Sequence, residues 1–344
     1  MEAKTDFFDR LQGITELYLT RRRRIRRIKK EKQKRKNVIL DWVEAFLWAA
    51  AVVLLINQYL FQAYQIPSGS MIDTLLISDR IFVNKLIYGP ELLPGIGKIP
   101  SPVKPKRNDI IIFENPSYIS RGPVFDIAQR IIYMLTLSFV DIDRDENGEP
   151  KAHFLIKRAV GMGGDHFTSE KGELSVRFSG EDRWVTEREY MAGRNMVHNI
   201  SRLIQPDEYT ALEAAGKLYA YAELWLEPPR ELIQQASPVL SFKTVTGSAG
   251  RDEFELQPKY RGDFSYSASY MAFLKSAYPH DPRYGAYLAR HVQGWYIPEG
   301  RIFPLGDNRD NSRDGRYFGP VQEYKVLGKG AFIYWPLDRM GPIR

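Results

Sequence analysis

From Ala45 to Ile72 the chain carries no Asp, Glu, Lys or Arg, and most of this stretch reads AFLWAAAVVLLINQYLFQAY. Twenty residues of helix span about 30 Å, the thickness of a bilayer's hydrocarbon core. Such a segment is either the buried helix of a soluble core or a membrane span, and Asn57, Gln58 and Gln62 keep the first alternative open. Its N-terminal flank decides between them. Between Arg21 and Lys36, RRRRIRRIKKEKQKRK sets twelve basic residues against Glu31 alone, a local net charge of +11 that leaves −4 for the rest of a +7 chain. Lys and Arg beside a span stay cytoplasmic, so the flank favours a membrane helix and places everything after about residue 64 outside the cytoplasm. The basic region is too long, and the apolar run begins too late, for a cleaved signal peptide. The run suits anionic lipid headgroups, each basic residue near the surface adding about 1 kcal/mol. With the positive charge gathered there, no nucleic-acid partner is expected.

The remaining sequence divides by pattern. Residues 1–37 form a basic arm, 38–63 the span, 64–189 and 291–344 the two parts of a mainly β domain, and 190–290 a partly helical insertion. Short β-branched and aromatic runs mark the strands: RIFVNKLIY (80–88), DIIIFE (109–114), HFLIKRAV (153–160) and RIFPL (301–305). Helix-like stretches such as PDEYTALEAAGKLYAYAELWL mark the insertion. The run IIYMLTLSFV (131–140) is uncharged but only ten residues long, too short for a second span, and is read as a core strand or helix in preference to a surface dipping into lipid.

Absent residue types narrow the chemistry. With no cysteine there is no disulfide and no thiol nucleophile. The five histidines lie in unrelated contexts, without an HExxH pair or a G-x-S-x-G elbow, and neither a metal nor any other cofactor is expected. Ser101-Pro-Val-Lys104 matches S-x-x-K, but its prolines mark a loop. Three other elements stand out. In QIPSGSM, Gly69 permits a tight turn and Pro67 fixes the backbone before Ser68 and Ser70. Lys157 interrupts an apolar strand run, where desolvation lowers an amine's pKa, although an outward-facing lysine would fit the same pattern. The segment GDNRDNSRDGR concentrates acids and bases in a manner suited to an ion-paired turn.

Together, PSGSM (67–71), SDRIFVNKLIYG (78–89), RNDIIIFENP (107–116), KRAVGMGGD (157–165) and GDNRDNSRDGRYFG (306–319) resemble the type I signal peptidases. The resemblance covers roughly 60–120, 150–188 and 295–338, and it includes the preceding span. It implies a signal-peptidase-like β fold with one N-terminal transmembrane helix. It also implies a membrane-bound serine endopeptidase that removes signal peptides from preproteins after small residues. Carried over by position, it makes Ser70 the nucleophile and Lys157 its general base. Ser68 and the Ser70 N–H then hold the oxyanion, and Ser312 orients the lysine. Asp307, Arg309, Asp314 and Arg316 support the site, and Tyr64, Ile66 and Ile156 wall the substrate pocket. The implied partners are signal-peptide-bearing preproteins and membrane lipids. The implied location is a bacterial inner membrane, with the N-terminus cytoplasmic.

The chain departs from the family at Asp73, where Pro is usual, and at Gly315, where Ser is usual; 190–290 finds no counterpart. Two rivals remain: a self-cleaving serine–lysine protease of the repressor type, and an anchored scaffold that only binds partners. The repressor type is soluble and carries a DNA-binding module, which this chain lacks.

Overall fold

The computed structural model describes residues 12–13, 15–27, 38–93, 96–144, 148, 151–193, 200, 202–243, 253–260 and 264–343. It comprises two units, Met1–Val53 and Leu54–Arg344. Helix α1 (residues 15–27) is exposed throughout and carries six of the twelve clustered basic residues; residues 28–36 of that run lie outside the described part. Helix α2 (Val38–Tyr59) is the one described helix long and apolar enough to cross a membrane.

The second unit begins with β1 (Phe61–Gln65), β2 (Arg80–Asn84), the hairpin β3 (Glu91–Leu93) and β4 (Ile96–Lys98), and β5 (Ile110–Glu114). After α3 (Pro123–Leu135) come β6 (Phe154–Gly161), β7 (His166–Glu170), β8 (Glu173–Arg177) and β9 (Trp184–Thr186). A helical portion holds α4 (Glu187–Gly193), α5 (Tyr209–Glu223), α6 (Arg230–Ala236), the hairpin β10 (Leu240–Lys243) and β11 (Glu253–Leu256), α7 (Phe264–Ala277) and α8 (Pro282–Gln293). The chain closes with β12 (Trp295–Tyr296), β13 (Arg301–Leu305), α9 (Gly315–Phe318), β14 (Val321–Gln322), β15 (Val326–Trp335) and β16 (Gly341–Pro342).

The main sheet is antiparallel, in the order β1-β2-β15-β5-β6-β13-β14, with β16 on β15. Its central strand explains the unbroken apolar run IIIF. Ile110 and Ile112 face a cluster with Tyr64, Ile66, Met71 and Leu75, whereas Ile111 and Phe113 face another with Ala159, Ile302 and Val326. A strand buried on both faces has no place for alternating polar residues. A second sheet, β12-β7-β8-β9, packs Phe167, Leu174 and Val176 against Trp295 and Phe303.

The four runs read as strands are strands, except that RIFVNKLIY ends as a strand at Asn84 and turns through Leu86–Tyr88. The helical portion has its own core around Leu212, Ala215, Leu218, Val239 and Leu256. There α5 and α7 approach closely, because a Cβ on Gly216 would lie 2.5 Å from the Tyr266 carbonyl oxygen. IIYMLTLSFV differs from its reading as core. It forms the end of α3 and a turn, and Ile131, Leu135, Leu137, Phe139 and Val140 are exposed while Met134 and Ser138 are buried.

Candidate active site

Pro67 ends the extended segment after β1, and the chain tightens into a single turn over Gly69–Met71 that presents Ser70 to β6. On β6 the two-residue period puts Lys157 on the same face as Leu155 and Ala159, both packed in the second apolar cluster. The lysine is 3% exposed, and its Nζ lies 2.5 Å from Ser70 Oγ. Burial is the main influence on the amine and lowers its pKa from 10.5 to about 8, against the opposing charges of Asp314 and Asp307. Ser68 is exposed at the rim, its Oγ 3.5 Å from Ser70 Oγ.

The loop after β13 holds this pair from behind. Asn308 N–H donates to the Ser70 carbonyl at 3.1 Å, and Asn308 Nδ2 donates to the Gly69 carbonyl at 3.0 Å. Ser312 Oγ is buried and makes no hydrogen bond to Lys157. It lies against Gly306: a Cβ there would fall 2.2 Å from Ser312 Oγ and 2.5 Å from Ser70 O.

Three buried carboxylate–guanidinium pairs brace the loop. Arg158 donates to Asp307 at 2.8 and 2.7 Å, and Thr74 Oγ1 adds a bond of 2.6 Å to the same carboxylate. Burial pushes Asp307 up, but Arg158 outweighs it and holds the carboxyl below its usual range. Asp314 pairs with Arg316 at 2.9 and 3.1 Å and accepts Gly306 N–H at 3.0 Å. Burial is again overcome by the guanidinium, so Asp314 also titrates low.

Arg309, fully buried, pairs with Glu187 at the start of α4 and donates to Gly306 O. Asp310 accepts the backbone N–H groups of Leu203 and Ile204 at 2.7 and 3.0 Å. The helical portion is therefore joined to the loop that carries Asn308 and Ser312. Asn308, Asp310, Arg158, Thr74 and Glu187 are absent from the site as read in the sequence. Asn308 and Asp310 stand inside the motif that revealed their neighbours, while Thr74 and Glu187 carry no local signal.

A groove of about 620 Å³ runs from the Ser70–Lys157 pair along Ile66 and Tyr64 on one side and Ile156 and Phe154 on the other. Its walls are strand edges. Among the described residues β1 pairs only with β2, and β13 covers β6 only from Arg158 onward, so that no described strand covers residues 154–157 on that side. Tyr133 of α3 also lines the groove, and its hydroxyl accepts Gln65 N–H at 3.2 Å. Among the described residues, His153 is the one histidine that lines the groove, its Nε2 2.9 Å from Asp143 Oδ2. Ser101 and Lys104 play no part: Ser101 Oγ donates to Ile87 O, and Lys104 pairs with Glu323 at the surface. Among the described residues no cluster suits a metal ion.

A peptidase family model fits this chain. The model described as signal peptidase, peptidase S26, matches residues 39–213 and 255–335, and the chain belongs to that family and is a peptide-bond hydrolase. The chain is similar to signal peptidase I of Haemophilus influenzae, 28% identical over 87% of this chain and 70% of the relative. Signal peptidase I of Aquifex aeolicus is 28% identical over 85% of this chain and 82% of its own length. That of Helicobacter pylori is 25% identical over 87% and 81%. The family match extends into the region set apart as an insertion, leaving residues 214–254 between its two segments.

Proposed function

We propose that this chain is a membrane-anchored signal peptidase that cleaves preproteins after small residues with a Ser70–Lys157 dyad. The observation that carries the reading is the 2.5 Å approach of a buried lysine amine to a serine hydroxyl beside a groove. Lys157, in its unprotonated form, takes the Ser70 proton as Oγ attacks the scissile carbonyl. The oxyanion falls to the Ser70 N–H and, after a rotation at the rim, to the Ser68 hydroxyl. Lys157 then passes its proton to the departing amine, and water, activated by the same lysine, releases the acyl group. Ser312 acts through its position behind the dyad, and Asp307, Arg309, Asp314 and Arg316 keep the loop rigid.

The edge of β6 at residues 154–157, which no described strand covers, favours an extended substrate bound by main-chain hydrogen bonds. Tyr64, Ile66 and Ile156 narrow the groove near Ser70, which favours Ala or Gly before the cut. α2 serves as the anchor, with the basic arm on the cytoplasmic side against anionic headgroups and the second unit outside the inner membrane.

Full-length protein in liposomes, incubated with a preprotein bearing an A-x-A site, is expected to release the mature chain with its new N-terminus after the second alanine. Ser70→Ala protein should be folded and inactive, and undiminished cleavage by it would refute the dyad.

A further inference from the structure

An oxyanion donor has to be held in one direction before the reaction begins, and the Ser70 N–H stands in a segment too short to hold itself. Gly69–Met71 is a single turn whose closing bond, from Ile72 N–H to the Gly69 carbonyl, is long at 3.3 Å. Forming one turn fixes several residues for one hydrogen bond, so such a turn needs support from outside. Among the described residues the Ser70 N–H donates to no acceptor, which leaves it available to a ligand.

Asn308 supplies the support. Its Nδ2 donates to the Gly69 carbonyl at 3.0 Å, and its backbone N–H donates to the Ser70 carbonyl at 3.1 Å. The Gly69 C=O and the Ser70 N–H belong to one planar trans peptide unit, in which they point in opposite directions. Holding the oxygen therefore aims the N–H. A hydrogen bond accepted by that oxygen also polarises the unit and strengthens the N–H as a donor. The second bond fixes the peptide unit that follows, so one residue holds the backbone on both sides of Ser70. Asn308 is 3% exposed, and its neighbours Asp307 and Arg309 are fully buried in ion pairs with Arg158 and Glu187. The amide is thus set on a rigid base.

We propose that Asn308 is the positioning residue of the oxyanion hole, its side-chain amide aiming the Ser70 N–H, through the Gly69 carbonyl, at the oxygen that becomes charged in the transition state. Asn308 acts through the backbone of the turn, and the inference rests on Ser70 being the nucleophile. Because the scissile oxygen gains its charge only in the transition state, the effect falls on the rate of the step and not on substrate binding.

The test compares Asn308→Ala and Asn308→Asp with wild type, each full-length and in liposomes. The alanine deletes the side-chain donor and keeps the backbone bond to the Ser70 carbonyl; the aspartate keeps the shape and puts an acceptor where the donor was. Against a preprotein, kcat should fall about 10- to 100-fold in both variants, less than the roughly 100- to 1,000-fold lost with a direct oxyanion donor. KM and the pH midpoint of the rate should stay at their wild-type values. Two peptide inhibitors with the same sequence before the cut separate positioning from general structure. With a peptide aldehyde, Ser70 Oγ adds to the carbonyl carbon, its proton passes to Lys157 and the carbonyl oxygen becomes the oxyanion, so Ki should rise as kcat falls. A reduced-amide peptide carries a methylene in place of the scissile carbonyl, and its Ki should not change. Unchanged kcat, equal weakening of both inhibitors, a loss confined to KM or a displaced pH midpoint overturns the proposal. A urea melt shows that each variant is folded, and loss of the fold in both would make Asn308 a structural residue and also overturn it. Ser70→Ala tests the dyad separately: an active Ser70→Ala protein removes the proposed function, whereas an inactive one beside Asn308 variants of wild-type kcat removes only the role of Asn308.

Discussion

Lys157 Nζ and Ser70 Oγ lie 2.5 Å apart although 87 positions separate them in the chain. The contact depends on β6 entering the sheet beside β5 and on the Gly69–Met71 turn lying against β6. If the dyad is the catalytic machinery, Lys157→Met lowers cleavage by at least about 100-fold, within the span expected for loss of a general base. The same change removes a buried amine from an apolar face, so the melting temperature should rise. A variant with wild-type turnover would exclude the lysine.

The pH dependence has a defined sign. The base acts only when unprotonated, and the Lys157 amine titrates at about 8. kcat/KM should therefore climb about tenfold per pH unit below that value and level off above it. In stability, the folded pKa lies below the unfolded value of 10.5, so the unfolded chain binds the extra proton between about 8 and 10.5, and stability rises with pH across that window. Buried Lys85, also lowered to about 8 chiefly by burial, adds in the same sense. Chemical denaturation at pH 7.5 and 10 measures this rise, and Lys85→Met should diminish it.

Gly306→Ala tests the crowding behind the nucleophile. The added methyl would meet Ser312 Oγ at 2.2 Å and the Ser70 carbonyl at 2.5 Å. Overpacking of this kind costs about 1–3 kcal/mol, and here the displaced atoms belong to the site. Both a lower melting temperature and a fall in kcat are expected, measured by calorimetry and by peptide cleavage.

Asp310→Ala leaves the Leu203 and Ile204 N–H groups without their acceptor. Stranded donors cost about 1–3 kcal/mol each, so the loss should be clear in a urea melt. Asp310→Asn keeps one acceptor oxygen and should retain more of the stability. Equal stability of wild type and the alanine variant would mean that this join does not hold the helical portion.

Pocket size is tested through Ile66→Ala and Ile156→Ala. Each opens the groove beside Ser70, and preproteins with Val or Leu before the cut should become substrates relative to Ala. An unchanged preference, measured by competition between two peptides, would place the determinant elsewhere.

Much of the fold was legible because its signals are local. β5 and β13 follow their apolar runs, and most of α2 follows from the charge-free run that begins at Ala45. The groups at the site were legible because PSGSM and GDNRDNS are compact motifs with familiar order. The run at 131–140 was misjudged because hydrophobicity alone does not say which side of a helix meets protein; Gln129 and Tyr133 turned inward, and the aliphatic residues turned out.

By itself, then, the sequence determined which segments are apolar, where four of the strands run, and which residue types were available for chemistry. The tertiary structure decided what those residues became. An amine on an alternating strand is either solvated or buried, and the tertiary structure left Lys157 3% exposed, which lowers its pKa. The partners that complete the site, Asn308 on the Ser70 carbonyl and Glu187 on Arg309, come from distant parts of the chain. Desolvation and charge pairing of this kind depend on distances through space, which no local pattern encodes.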